Sequence, residues 1–223
     1  MNARNVVVTV LAMLAMTPVG AADSITIDPD AFAGETVLNN AFPNVVLTAE
    51  GDNLVNANVL ALESEWTSTG ASVFGHTSPE YFPEDRLQWG NGFGNWLRVD
   101  FAVGATSVSM DFIADDSDDE NALLRAFDAQ GGLIDTAAST GTYSEGEIVT
   151  LTVEGPYIAY VEAEPDPGGG AAWRLDHLVY DPVPEPATLC LLAVGAWLCL
   201  PGARRRMPLP RKRTPPPASA AWR

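Results

Sequence analysis

The sequence predicts an all-β protein whose folded part, residues 23–182, is a single sandwich or barrel of short strands. Three observations lead to this expectation. Apolar and polar residues alternate in several segments, Gly- and Pro-bearing turns separate these segments by roughly 8–12 residues, and no sustained helical period precedes the C-terminal tail. Alternation with a period of two places one face of each strand on a core and the other in water.

The clearest strand is residues 97–101, where Leu97, Val99 and Phe101 alternate with Arg98 and Asp100. The same pattern recurs at residues 108–112 and 149–153. Shorter candidates are residues 24–27, 45–49, 123–127, 133–137, 157–163 and 173–180. The Asp-Ala-Gln-Gly-Gly segment at 128–132 predicts a hairpin turn. Residues 52–62 also fit a short helix, although their asparagines disfavour it.

The charge of the chain is concentrated in the predicted domain. Between Asp23 and Asp181 lie 28 of the 29 acidic residues, against only four arginines and no lysine, which gives a net charge of −24. A surface of this sign repels phosphate backbones, so nucleic acid is not an expected partner. The two cysteines, Cys190 and Cys199, lie outside this region, so no disulfide can stabilise it.

Both ends of the chain differ from the domain. Residues 1–22 contain Arg4, an apolar run and small residues near Ala21, a pattern that predicts a cleavable signal peptide; a buried N-terminal helix is the alternative. At the other end, a Pro-rich linker precedes the uncharged segment 187–203, which predicts a short transmembrane helix stopped by Arg204, Arg205 and Arg206. Residues 207–223 are basic and Pro-rich, and we expect this tail to be disordered.

The sequence Val-Pro-Glu-Pro-Ala-Thr-Leu at 183–189, followed by the apolar segment and the arginines, resembles the PEP-CTERM sorting signal of Gram-negative bacteria. The resemblance covers residues 183–206 and places the motif on Pro184, Glu185 and Pro186. It implies recognition by exosortase, a membrane-embedded transpeptidase, and release to the cell surface or the extracellular space after transient anchoring in the inner membrane. The chain departs from the family by continuing beyond its arginines, and an unprocessed C-terminal anchor is the alternative.

Residues 99–180 also resemble the domains that accompany this tail, in phrases such as Val-Ser-Met-Asp-Phe-Ile and Leu-Asp-His-Leu-Val-Tyr. That resemblance implies a single β-sandwich of the jelly-roll, carbohydrate-binding-like type.

The densest run of carboxylates lies between two predicted strands and is a candidate calcium site. Its acidic residues are Asp115, Asp116, Asp118, Asp119 and Glu120. Calcium takes six to eight oxygen ligands and tolerates irregular loops, so this loop has the chemistry for a structural Ca²⁺ ion. A solvated acidic loop without metal is the favoured interpretation, and no other cofactor is expected.

Aromatic residues between positions 66 and 96 are candidates for sugar binding, because exposed aromatic rings stack on sugar rings. The tryptophans of this group are Trp66, Trp89 and Trp96. Burial under loops is the commoner fate of such side chains and is the alternative.

These observations predict an exported, non-catalytic protein with a structural or adhesive role at the cell surface or in the extracellular matrix. A module that binds exopolysaccharide is the second hypothesis. A secreted hydrolase is disfavoured, because the chain has two histidines and no Gly-x-Ser-x-Gly nucleophile motif.

Overall fold

The computed structural model describes residues 23–51, 54, 56–77, 86–90, 94–115, 121–165 and 172–184. These residues form an all-β unit, which confirms the predicted class. Its strands are β1 (Ile25–Ile27), β2 (Val45–Glu50), β3 (Val59–Glu63), β4 (Ser72–His76), β5 (Trp89–Gly90), β6 (Trp96–Ala114), β7 (Ala122–Phe127), β8 (Leu133–Ala138), β9 (Ile148–Pro165) and β10 (Ala172–Pro182). A 3-10 turn at Pro29–Ala31 lies between β1 and β2. Within the described ranges, no helix is long and apolar enough to cross a membrane.

The strands belong to one antiparallel sheet, with the order β3-β4-β10-β6-β9-β7-β8. β1 and β5 pair with β10, and β2 pairs with β6. The sheet is continuous because β6 and β9 are 19 and 18 residues long, and the two halves of each strand pair with different sets of neighbouring strands. The first part of β6 pairs with β2, whereas its second part pairs with β10.

The structure contains the predicted strand segments and hairpin, but it contradicts the short helix. The two segments predicted at 97–101 and 108–112 are parts of the single strand β6, and those at 149–153 and 157–163 are parts of β9. The hairpin at 128–132 is confirmed, because β7 and β8 pair across it and the Asp128 amide donates to the Gly132 carbonyl. The short helix considered for residues 52–62 is wrong at residues 59–62, since Val59–Glu63 is strand β3 and pairs with β4; residues 52, 53 and 55 lie outside the described residues.

One hydrophobic cluster holds the sheet together. The sheet has two parts: β2 and the first part of β6 belong to one, and β4, β10 and the second part of β6 belong to the other. The cluster includes Leu47 and Val99 from the first part and Phe74, Phe112 and Trp173 from the second. The rings of Phe101 and Tyr180, which come from the two parts, lie 4.8 Å apart between centroids. The buried apolar surface of both parts is therefore shared in one core, which drives the folding of a domain that has no disulfide.

The segment that precedes β2 covers strand edges. The Glu35 and Leu38 amides donate to carbonyls of β3, and the Leu47 amide of β2 donates to the Asn39 carbonyl. These contacts satisfy backbone groups that would otherwise remain open to pairing with another chain.

The two ends of the described unit meet. Ile25 in β1 pairs with Tyr180 in β10, and the Val183 amide donates to the Gly104 carbonyl at 3.1 Å. Backbone pairing of the sheet therefore extends to the residue that precedes Pro184.

Candidate binding face

A polar surface lies on one side of the five strands β2, β6, β9, β7 and β8. Residues such as Leu47, Val99, Val161 and Ala126 point to the core, so their immediate neighbours in each strand point to the opposite side. Register pairing aligns these neighbours in rows across the sheet. We call this surface the polar face; its side chains are Val46, Thr48, Glu50, Trp96, Arg98, Asp100, Leu123, Arg125, Phe127, Leu133, Thr136, Ala138, Tyr160, Glu162 and Glu164.

A stack of rings and guanidinium groups occupies the centre of the polar face. Tyr160 and Phe127 are register partners, and their rings are stacked with centroids 4.8 Å apart and an interplanar angle of 10°. This distance matches the usual spacing of neighbouring strands, so each ring stands upright above its own strand. The Arg98 guanidinium lies 3.8 Å from the Tyr160 centroid, and that of Arg125 lies 5.7 Å from the Phe127 centroid. Arg98 and Phe127 therefore cover Tyr160, and such cation–π contacts fix the side chains in place.

Ion pairs surround this stack. Arg98 approaches Asp100 at 2.7 Å and Glu50 at 3.9 Å. Arg125 approaches Glu162 at 3.0 Å and Glu164 at 2.7 Å. Each arginine thus has two carboxylate neighbours.

Burial and these neighbours shift the pKa values of Arg98 and Glu162. The hydrogen bond with Asp100 raises the pKa of Arg98. Burial raises the pKa of Glu162; the Arg125 charge opposes this effect, and Glu50 adds to it. Four carboxylates and two guanidiniums leave the polar face with a net charge of −2 when all six are ionised.

The structure places the three predicted sugar-binding tryptophans in different surroundings. Trp89 has no exposed surface, and its indole N–H donates to the Phe74 carbonyl at 2.7 Å. A sugar ring therefore has no access to Trp89. Trp66 is partly exposed, but the Arg174 guanidinium lies 4.2 Å from the centroid of its ring. Trp96 is partly exposed and lies on the polar face, opposite Glu50.

The sequence patterns did not single out Tyr160, Phe127, Arg98 or Arg125 as candidate site residues. The sequence feature that could have indicated them is the alternation of apolar and polar residues in β6, β7 and β9, which shows that each strand has a polar side. Which polar sides adjoin depends on pairing between strands far apart in the sequence, such as Arg98 with Glu162.

The predicted calcium loop lies largely outside the described residues. Asp116, Asp118, Asp119 and Glu120 fall there, whereas Asp115 is described. The Asp115 carboxylate accepts hydrogen bonds from Arg174 and Gln88. Among the described residues no three His, Cys, Asp or Glu side chains are placed to hold a metal. The calcium site stays a prediction.

Pro184 is the last described residue, so the rest of the sorting motif, Glu185 and Pro186, lies outside the described residues. The same holds for the predicted signal peptide, the apolar segment 187–203, Arg204, Arg205 and Arg206, and the basic tail.

Known structures give weak similarities. The chain resembles the arabinose-bound MgGH51 α-L-arabinofuranosidase with 11% identity and a TM-score of 0.42, covering 76% of this chain but only 28% of that one. It resembles the K2 cleaved adhesin domain of Lys-gingipain with 16% identity and a TM-score of 0.44, covering 71% and 99% of the two chains. It also resembles the CBM22-1 xylan-binding domain of Paenibacillus barcinonensis Xyn10C with 13% identity and a TM-score of 0.44, covering 74% and 97%.

The C-terminal tail matches a known sorting motif. No curated protein sequence matches the chain. The PEP-CTERM protein-sorting motif family matches residues 182–206, which agrees with the resemblance seen in the sequence. The chain therefore carries a PEP-CTERM protein-sorting motif, which implies an exported protein of the cell surface or the extracellular space.

Proposed function

We propose that this exported protein is a non-catalytic adhesive component of the cell surface or extracellular matrix, and that it binds carbohydrate through the polar face. The observation that carries the proposal is the central stack of Arg98, Tyr160 and Phe127 with its flanking carboxylates. Guanidinium groups donate several hydrogen bonds and carboxylates accept several, as the hydroxyl groups of a sugar require.

Pre-organisation supports this role. The arginines are already held by ion pairs, and the rings are held by stacking. Side chains that are fixed before binding lose less conformational entropy when a ligand arrives. The face also extends across several paired strands and is partly apolar, which suits an extended polymer.

Binding to a glycan array tests the proposal. The full chain is kept in solution with a polyoxyethylene detergent, which contains no sugar. We expect Tyr160→Ala to reduce glycan binding and Tyr157→Ala to retain it. Tyr157 is the matched control, because it is an exposed tyrosine of the same strand but lies outside the polar face. Melting curves check that both variants are folded. Absence of binding to every glycan would leave a purely structural role. Equal binding by both variants would mean that carbohydrate binds outside the polar face.

In this proposal the two parts of the sheet are the layers of a jelly-roll sandwich. The shared hydrophobic cluster and the contact between Phe101 and Tyr180 support this arrangement. The long strands β6 and β9 would pass from one layer to the other at residues 101–104 and 155–157, where the pairing register shifts.

Export and sorting complete the proposal. The signal peptide, residues 1–22, is removed during export. An exosortase-type transpeptidase then cleaves near Pro184, Glu185 and Pro186, after residues 187–203 have held the chain in the inner membrane. Intact-mass measurement of the surface form should give a species without Cys190 and Cys199. A dominant species that retains both cysteines would contradict this processing.

A further inference from the structure

The arginines of the polar face are already neutralised. Asp100 accepts two hydrogen bonds from the Arg98 Nε and Nη2 groups, at 2.9 and 2.7 Å. Glu162 and Glu164 both approach Nη2 of Arg125. An anionic ligand would have to displace these carboxylates and would meet their charge, so the face is unsuited to uronate, sulfate or phosphate groups.

The carboxylates, by contrast, have acceptor capacity that the arginines do not use. The side chains of Asp100 and Glu50 are 38% and 34% exposed, and Glu50 meets Arg98 only at 3.9 Å. An ionised carboxylate accepts up to about four hydrogen bonds. With four carboxylates against two guanidiniums, the face has acceptors and negative charge in excess.

The rings limit how a ligand can be held. Arg98 and Phe127 cover Tyr160, so a sugar ring cannot stack on it as on an open aromatic platform. The main attraction therefore comes from charge and directional hydrogen bonds, and it is greatest for a ligand that brings cationic donors. An ammonium group has three N–H donors, and its bonds to carboxylates are about twice as strong as neutral ones.

From this charge complementarity we propose that the ligand of the polar face is a polysaccharide that carries free amino groups, such as an amino-sugar polymer without its N-acetyl groups. The inference rests on the proposed carbohydrate function and specifies its ligand class. The net charge of −24 on residues 23–182 acts in the same direction, because it attracts a polycation over a longer range than the contacts themselves.

Titration calorimetry with two oligosaccharides of one backbone tests the inference. The full chain, in the same detergent, is titrated with chitosan hexamer and with its fully N-acetylated counterpart. The two ligands share ring geometry and differ in amine charge. We expect the acetylated hexamer to bind about tenfold more weakly or worse, because several charged contacts are lost together. Xylohexaose and a polygalacturonate hexamer serve as neutral and anionic probes.

Matched variants separate contact from overall charge. Glu50→Gln removes one negative charge from the polar face. Glu154→Gln removes the same charge from an exposed position in the first part of β9, outside that face. We expect Glu50→Gln to weaken chitosan hexamer binding about two- to fivefold, the size of one exposed ion pair, and Glu154→Gln to leave it nearly unchanged.

The outcomes distinguish this inference from the function on which it rests. Equal binding of both hexamers, or preference for the neutral or anionic probe, would overturn the cationic ligand. Carbohydrate binding at the polar face would still stand in that case, provided that Tyr160→Ala reduces the binding of the preferred probe. Equal weakening by Glu50→Gln and Glu154→Gln would reduce the effect to general attraction and overturn the site. Absence of binding by all four probes, together with an empty glycan array, would remove both proposals.

Discussion

At the scale of single residues, Asp176 connects a long loop to the sheet. Its side chain is fully buried, and its Oδ2 accepts hydrogen bonds from the Ser68 amide, the Ser68 hydroxyl and the Thr69 amide. Its Oδ1 accepts the His177 amide, where the backbone turns to a φ of +38°. Burial raises the pKa of Asp176, although these donors oppose that effect. One carboxylate therefore fixes both the loop and an irregularity in β10.

Asp176→Ala should lower the free energy of unfolding by about 3 kcal/mol, because it leaves buried N–H donors without an acceptor. Asp181→Ala is the control, since the Asp181 carboxylate accepts an exposed hydrogen bond from the Ser24 hydroxyl, and it should cost less than about 1 kcal/mol. Urea unfolding of both variants gives the comparison. Similar losses for the two would show that the loop is held by other contacts.

Glu162 and Asp176 together predict an unusual pH dependence. The pKa of each is raised in the folded protein. Between the unfolded and folded pKa values the folded state binds a proton that the unfolded state lacks, so stability falls as the pH rises through this window. The melting temperature should therefore increase when the pH is lowered from 7 toward about 5. Glu162→Gln should reduce that increase, whereas Glu154→Gln should not; a steady decrease on acidification would contradict the expectation.

At the scale of elements, the long strands β6 and β9 give the sheet its continuity. Their pairing register shifts between Asp100 and Ala105, and Gly104 in this interval has a φ of +72°. A Cβ atom at Gly104 would lie 2.5 Å from the Tyr157 ring. Glycine is therefore required there by both its backbone conformation and the approach of Tyr157.

Gly104→Ala should destabilise the protein by about 2–3 kcal/mol, combining backbone strain with a clash against Tyr157. Gly94→Ala is the matched control, because Gly94 also has a positive φ, +58°, but open space around its Cβ position. That control should cost about 1 kcal/mol. Adding Tyr157→Ala to Gly104→Ala should return the loss to the control value in thermal unfolding. No rescue would mean that strain alone is responsible.

At the scale of the whole molecule, a strongly acidic domain is held by one core and no disulfide. The net charge of −24 on residues 23–182 opposes the compact state, and the shared hydrophobic cluster offsets it. Salt shortens the screening length from about 10 Å at 0.1 M to about 3 Å at 1 M, and buried apolar contacts do not depend on this screening.

The protein should therefore melt at a higher temperature in molar NaCl than in dilute buffer, and reductant should change nothing. Glu145→Gln combined with Glu154→Gln, two exposed acids, should reproduce part of the salt effect. Calorimetry across a NaCl series measures it. A melting temperature that falls with NaCl would mean that attractive pairs such as Arg125 with Glu164 outweigh the general repulsion.

The sequence by itself determined the features that depend on neighbouring residues. The sorting motif at 182–206 is a contiguous pattern, and the all-β class follows from alternation such as that of Leu97, Val99 and Phe101. The β7–β8 hairpin followed from the turn residues at 128–132. Each of these is a local property, so no knowledge of distant partners was needed.

Only the tertiary structure decided which aromatic side chains are available to a ligand. Trp89 belongs to a Gly- and Asn-rich stretch that suggested exposure, yet its pairing with Trp173 of β10 places it in the core. Tyr160 and Phe127 form the centre of the polar face because β9 lies beside β7 in the sheet. Burial and charge pairing depend on contacts between strands far apart in the chain, and the periodicity of one strand carries no information about its neighbours.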